Sequence, residues 1–224
     1  GFSSEKIKKV YRRYAALPHV HYVAISQADQ DPTLPYLGVV HHGVDPGRYP
    51  LGPGGRHLLV LSRIHPDKGI REAILFARRA RLPLRIAGPV QDQAYFQEEI
   101  LPLLGEGVEF LGPVTPEERA ALLGGAVALL HFVNFPEPFG LAPVEAMMSG
   151  VPVLARPLGA LRETVRHGET GFLVQSWEEA LEHLDRVLRM DRSAIRAYAE
   201  AHFSRERMAR DYLDLYRKVL EERR

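Results

Sequence analysis

From residue 57 onward, short apolar runs alternate with segments of helical period. His57-Leu-Leu-Val-Leu-Ser62 is the first run, and a helical pattern over 68–81 follows it. Pro83-Leu-Arg-Ile-Ala-Gly88 comes next, then helix-like residues 92–103. Val108-Glu-Phe-Leu-Gly112 precedes a helix opened by Thr115-Pro-Glu-Glu118. There, Thr115 and Glu118 have the spacing of a capping box, and Pro116 holds the first helical position. Ala126-Val-Ala-Leu-Leu-His131 is the fourth run, with a helix expected near 141–149. Val151-Pro-Val-Leu-Ala155, a short helix near 159–166, and Gly171-Phe-Leu-Val174 complete the alternation. Residues 176–190 and 205–222 are helical by period.

Uninterrupted apolar strands separated by helices indicate a parallel sheet covered on both faces. Its crossovers should be right-handed. The predicted fold is therefore α/β: a Rossmann-like doubly wound parallel sheet over 46–200, with an additional C-terminal helix over 201–224. Ahead of it, residues 1–20 read as a basic amphipathic helix, with Ile7, Val10, Tyr11 and Tyr14 at helical spacing, ending near Pro18. Two short apolar runs follow, Tyr22-Val-Ala-Ile-Ser26 and Leu37-Gly-Val-Val-His41, and then a Pro/Gly-rich linker over 44–55.

Composition narrows the function classes. The 224 residues suffice for one substantial domain with extra pieces. A net charge of +1 gives little electrostatic case for nucleic acid. The chain has no cysteine, which removes disulfides and thiolate metal sites. No apolar run approaches the roughly 18–20 residues that span a bilayer. The first nine residues hold no signal-peptide apolar core, so a cytoplasmic location is expected. The first residue is Gly rather than Met, and the start reads as a processed end, a cloning boundary or a fragment.

In a doubly wound sheet, ligands sit beyond the carboxyl ends of the strands. Two segments after apolar runs carry suitable chemistry. In Ser62-Arg-Ile-His-Pro-Asp-Lys-Gly69, Arg63 and Lys68 stand beside a helix start, where two cations and free backbone N–H groups suit a diphosphate. The second segment is Glu137-Pro-Phe-Gly-Leu-Ala-Pro-Val-Glu145. Pro136 and Pro138 stiffen the backbone around Glu137, whose carboxylate suits sugar hydroxyls. Gly140 lets backbone approach a ligand closely. Glu145 falls one turn into the following helix, on the side of Leu141, where it can take both hydroxyls of a ribose. Each segment alone is also compatible with a solvated loop, but the second is flanked by strongly apolar stretches, and charge between core elements needs a reason.

Several other signals carry less. Asp29-Gln30-Asp31 has the D-x-D form of a metal-holding motif, yet Pro32 follows it directly and a turn is the better reading. His41-His42 lacks a third ligand at useful spacing. Met147-Met148 reads as core packing. Lys6, Lys8, Lys9, Arg12 and Arg13 read as a solvated helix face, with a membrane-surface role only weakly supported.

Together these residues resemble the C-terminal domain of the retaining glycosyltransferases of family 4, also called group 1, which have the GT-B fold. The resemblance runs from about Val23 to Val174. It includes Ala24-Ile-Ser26, His42-Gly-Val-Asp45 where the family usually has Asn in place of His42, Ser62-Arg63 with Lys68-Gly69, Ile86-Ala-Gly88, Phe110-Leu-Gly-Pro-Val114, the paired glutamates and Gly150-Val-Pro-Val153. It implies that Arg63 and Lys68 hold the donor pyrophosphate and that Glu137 meets the donor sugar. By the same resemblance, the backbone of Phe139, Gly140 and Leu141 meets phosphate and sugar, Glu145 binds ribose, and the backbone at Val114 faces the base. The implied substrates are a UDP-, GDP- or ADP-linked sugar and an unknown acceptor, with no cofactor and no essential metal. Residues 1–45 look like the end of the family's acceptor domain plus linker, so the acceptor half is absent, supplied in trans or cut away. Two alternatives stand beside this reading: a non-catalytic sugar-nucleotide-binding module acting with a partner, and another GT-B enzyme such as an epimerase or a phosphorylase, which the paired glutamates disfavour.

Overall fold

The computed structural model describes residues 5–221. The predicted first and last helices extend onto residues 1–4 and 222–224, which lie outside the described residues. The chain opens with α1 (Glu5–Ala15), β1 (Tyr22–Ala24) and β2 (Tyr36–Val39). After the linker come β3 (His57–Leu61), α2 (Ile70–Ala80), β4 (Leu84–Ala87), α3 (Gln93–Tyr95) and β5 (Val108–Gly112). The second half holds α4 (Pro116–Gly124), β6 (Ala126–His131), α5 (Leu141–Met148), β7 (Val153–Ala155), α6 (Leu161–Thr164) and β8 (Gly171–Leu173). Four helices close it: α7 (Trp177–Glu182), α8 (Leu184–Val187), α9 (Arg192–Phe203) and α10 (Arg205–Glu221).

Strands β3 to β8 form one all-parallel sheet in the order β5-β4-β3-β6-β7-β8. Alternation along each strand explains the two apolar layers. Leu59, Leu61, Leu129 and Val153 point into a core with Val144, Met147, Ile195 and Ala199. Leu58, Val60, Leu130 and Leu154 point the other way, against Ile70, Ile74, Phe76 and Phe172. Met147 and Met148 are fully buried, as core packing requires. The predicted capping box of α4 is present: Thr115 Oγ1 accepts from Glu118 N, and Thr115 N donates to the Glu118 carboxylate.

The expected helix over 92–103 is instead broken. After α3 the chain makes a π turn over Phe96–Ile100 and a 3-10 turn over Leu101–Leu103. Pro102 has no N–H and clashes with the preceding turn, so a regular helix cannot continue. The helical period over 176–190 divides at His183 into α7 and α8. Residues 191–204, left without an element by the period, form α9. Its inner face carries Ile195, Ala199 and Phe203 but also Arg192 and Arg196, which hides the amphipathic signal. The Arg192 guanidinium donates to the carbonyls of Gly52, Gly124, Ala126 and Ser149, and Arg196 to those of Pro46, Tyr49 and Met148. Gly124, Met148 and Ser149 stand at the ends of α4 and α5, where carbonyls lack partners within the helix; the other acceptors lie in the linker and at the start of β6.

β1 and β2 pair in parallel as a separate two-stranded sheet. The end of the chain returns to it. Val44 N donates to Phe203 O, Arg205 N to Val44 O, and Leu215 of α10 packs against Gly38. Asp29-Gln30-Asp31 lies in a turn: the Asp31 carboxylate accepts from Thr33 N and Oγ1 and pairs with Lys8 at 2.9 Å. Among the described residues, no helix is long and apolar enough to cross a membrane.

Replacing Arg192 by Met keeps most of the apolar stem and removes the donors to four carbonyls. Urea unfolding should show a loss of about 2–4 kcal/mol, the range for breaking a half-buried charged hydrogen-bond cluster. A midpoint unchanged from wild type excludes Arg192 as the tie between α9 and the sheet.

Candidate functional site

The strand order reverses between β3 and β6, so their connections leave on opposite sides and open a crevice above their carboxyl ends. A cleft of about 730 Å³ lies there, lined by Ser62, Arg63, Lys68, His131, Glu137, Gly140 and Leu141 among others. Five of the eight residues singled out from the sequence therefore share one cavity: Arg63, Lys68, Glu137, Gly140 and Leu141.

Two glycines make this geometry possible. Gly69 takes φ 64°, and a Cβ there would stand 2.0 Å from Phe132 O. It lets the Lys68 turn pass directly over the end of β6. Gly140 takes φ 89° at the N-cap of α5, so the chain leaves Glu137 and enters the helix in one step. The N–H groups of the first turn of α5 have no partner within the helix, and Gly140, Leu141 and Ala142 line the cleft. Pro143 fills a position whose N–H would be orphaned in any case. This end of α5 therefore suits an anion.

The cations are not equivalent. Lys68 is mostly buried; its Nζ stands 3.5 Å from Glu137 Oε2 and 4.2 Å from the centre of the Phe135 ring. Arg63 is more open, at 40% exposure, and donates to Asp67 Oδ2 at 2.7 Å. Asp67 in turn meets His65 Nδ1 at 2.8 Å. Ser62 Oγ, beside Arg63, is buried without a protein partner among the described residues.

Glu137 is held from both ends. Its carbonyl accepts from Ala160 N at 2.8 Å, and its neighbour Pro138 O accepts from Ser26 Oγ at 2.7 Å. Its carboxylate meets His131 Nε2 at 3.3 Å, on the same oxygen that meets Lys68. Burial alone would raise this carboxyl. The His131 hydrogen bond and the charges of His131 and Lys68 outweigh burial and bring it below its ordinary value. Glu137 is therefore an ionised acceptor at neutral pH.

The other three predicted residues lie elsewhere. Glu145 does not line this cleft; its carboxylate is gripped by Arg119 Nε at 2.7 Å and by the same guanidinium's Nη2. Tyr49 lies beside it, and burial together with the Glu145 carboxylate pushes its hydroxyl up to about 12. Val114 lines a second hollow of about 380 Å³ with Leu111, Glu118 and Leu122. The Phe139 ring is buried against His41, His42 and Phe203, so that residue offers only backbone to a ligand.

Arg119, Tyr49 and Glu163 were not visible in the sequence as site residues, being distant in sequence from the motif. His131 opens the stretch after the fourth apolar run, on the ligand edge, but the sequence alone assigned it no role. Glu163 accepts from Gln27 N at 2.9 Å and Ala28 N at 2.8 Å, and meets His41 Nε2 at 3.2 Å. His41 and His42 thus serve as packing and ion-pair partners, and burial draws the His42 imidazole down from its ordinary value.

Comparison with known proteins agrees with this architecture. The chain is 34% identical over 221 residues to a D-inositol 3-phosphate glycosyltransferase of Rhodococcus erythropolis, covering 84% of this chain and 49% of that protein. It is 30% identical over 151 residues to a glycogen synthase of Mycobacterium tuberculosis, covering 62% of this chain and 36% of that protein. The chain spans about half the length of this Rhodococcus protein and of a Nocardioides relative of the same name. Among solved structures, AviGT4, a glycosyltransferase of avilamycin A biosynthesis, superposes with a TM-score of 0.74 at 27% identity, over 89% of this chain and 63% of its own. Anabaena HepE in complex with UDP and glucose superposes with a TM-score of 0.78 at 24% identity, over 96% of this chain and 68% of its own. The sheet and its helices are the Rossmann-like half of a GT-B fold. Because the model of the family described as glycosyl transferases group 1 matches residues 47–202, well over half of the sequence, the chain belongs to the group 1 glycosyltransferases.

Proposed function

We propose that this chain carries the donor-binding half of a retaining glycosyltransferase that moves a hexose from a nucleoside diphosphate sugar to an acceptor hydroxyl. The observation that carries the reading is the cleft at the sheet reversal, where Arg63, Lys68, Glu137 and the start of α5 converge in a group 1 chain. A structural neighbour, HepE, was solved with UDP and with UDP-glucose, which supports the same ligand class here.

In this reading the donor pyrophosphate lies between Arg63, Lys68 and the first turn of α5. As the bond from the sugar C1 to the phosphate oxygen breaks, the nucleoside diphosphate leaves with the bonding pair. Arg63 and Lys68 take up the charge that develops, so no essential metal enters the proposal. Glu137 offers its carboxylate to the sugar. The backbone of Phe139, Gly140 and Leu141 contributes to phosphate and sugar binding. Glu145 takes the ribose hydroxyls, with Arg119 and Tyr49 as its neighbours, and the backbone at Val114 meets the base. Residues 46–200 form the donor domain. Residues 1–45 are the end of an acceptor domain plus linker, and residues 201–224 are a separate C-terminal piece; the packing of α10 against Gly38 supports this division.

Calorimetry with UDP-, GDP- and ADP-linked sugars and their free diphosphates should find one nucleotide that binds. Binding of none sinks the proposal, and binding without transfer or slow hydrolysis marks the chain as a binding module instead. Lys68→Ala should weaken the selected diphosphate by about 3 kcal/mol, roughly a hundredfold, because it strips one partner from desolvated charge contacts. An unchanged dissociation constant removes Lys68 from the site. Glu137→Gln keeps shape and loses charge. Diphosphate affinity should stay within a few fold while sugar transfer falls by about 10²-fold; equal loss in both assays assigns Glu137 to the fold.

A further inference from the structure

The Glu137 carboxylate has two neighbours where charge balance needs one. Lys68 Nζ at 3.5 Å and His131 Nε2 at 3.3 Å both address Oε2, and Glu137 Oε1 has no hydrogen-bond partner among the described residues. The backbone of Glu137 is already fixed by Pro136, Pro138 and the Ala160 N–H. Only its side-chain torsions remain to be set, and these decide whether Oε1 faces the cleft.

The two neighbours differ in what they can hold. Lys68 projects from a 3-10 turn on a long, flexible stem and lies in the cation pair that faces the phosphate position. A diphosphate carries more charge than a carboxylate, so an arriving nucleotide draws the ammonium away from Glu137. His131 ends β6, the strand at the sheet reversal, and its side chain is only 8% exposed. A short, stiff ring on a central strand has little freedom to follow the phosphate. With its proton on Nε2, it donates to Oε2 whether or not a nucleotide is present.

We propose that His131 is a positioning residue that keeps the Glu137 carboxylate aimed at the donor sugar once Lys68 turns to the pyrophosphate. This rests on the nucleotide-sugar reading of the cleft. It assigns two jobs to what looks like one buried cluster: Lys68 serves the nucleotide, and His131, through Glu137, serves the sugar. His131 then governs the extra affinity that the sugar adds to the diphosphate, without touching the diphosphate itself.

Three variants separate this role from a merely structural one. Gln places its amide nitrogen near the position of His Nε2. Asn places it near Nδ1, too far back to reach Glu137, and Ala removes the donor. Each protein is titrated by calorimetry with UDP and UDP-glucose, and in parallel with the GDP/GDP-mannose and ADP/ADP-glucose pairs. In the wild type one pair binds, and the sugar adds affinity. His131→Ala and His131→Asn should each cut that added affinity by about tenfold, the effect of one charge-assisted hydrogen bond, with diphosphate affinity within twofold of wild type. His131→Gln should restore most of it. Should the Ala variant fail to fold, the Asn and Gln variants decide, since both are polar and close in size. Loss of diphosphate and sugar-nucleotide binding in equal measure overturns the inference, as does an unchanged ratio. A wild type that binds none of the three pairs overturns the site reading itself and this inference with it.

Discussion

Strands β3 and β6 are neighbours in the sheet and far apart in the chain, and each hands the backbone to the opposite side. No crossover can cover the space above their carboxyl ends. The candidate site depends on that gap. Ser62, Arg63 and Lys68 enter it from β3, and His131 and Glu137 enter it from β6. Residues separated by 69 positions, Lys68 and Glu137, meet there only because the sheet places their strands side by side.

The sheet was legible because its strands are short, continuous apolar runs, a pattern that solvent-facing elements do not show. The capping box of α4 was legible for a local reason: all its partners lie within four residues. The broken segment after α3 and the hidden helix α9 were not. Period analysis assumes that the inner face of a helix is apolar. Arg192 and Arg196 violate that assumption, because their charged ends answer carbonyls of elements distant in sequence. At the site, residue types next to glycine and proline were readable, since those backbones announce themselves. The role of His131 and the involvement of Arg119 were not, because a histidine ending a strand and an arginine inside a helix gain a meaning only when their partners are known.

The N-terminal segment and the Glu137–Glu145 segment are also mechanically joined. Ser26 bonds the loop carrying Glu137, Glu163 holds the N–H groups of Gln27 and Ala28, and His41 and His42 pack on the Phe139 ring. Phe139 lies between Glu137 and the start of α5. Through these contacts residues 24–42 are tied to both the carboxylate and the helix end. The tight packing of the buried Phe139 and Phe203 rings favours discrete arrangements over gradual drift.

The cluster of Lys68, His131 and Glu137 is poorly explained by stability. Burying charges costs several kcal/mol per ion, and well-packed apolar side chains of similar volume are commonly as stable or more so. Here the three side chains line an open cleft rather than fill the core. Charges in that setting are what the proposed function would use. The pattern of contacts sharpens the point, because two proton donors crowd one oxygen of Glu137 while the cleft, whose walls include that residue, stays open. A pairing built only to neutralise a buried carboxylate would distribute its donors over both oxygens. The asymmetry is what a carboxylate needs when its second oxygen is reserved for a ligand.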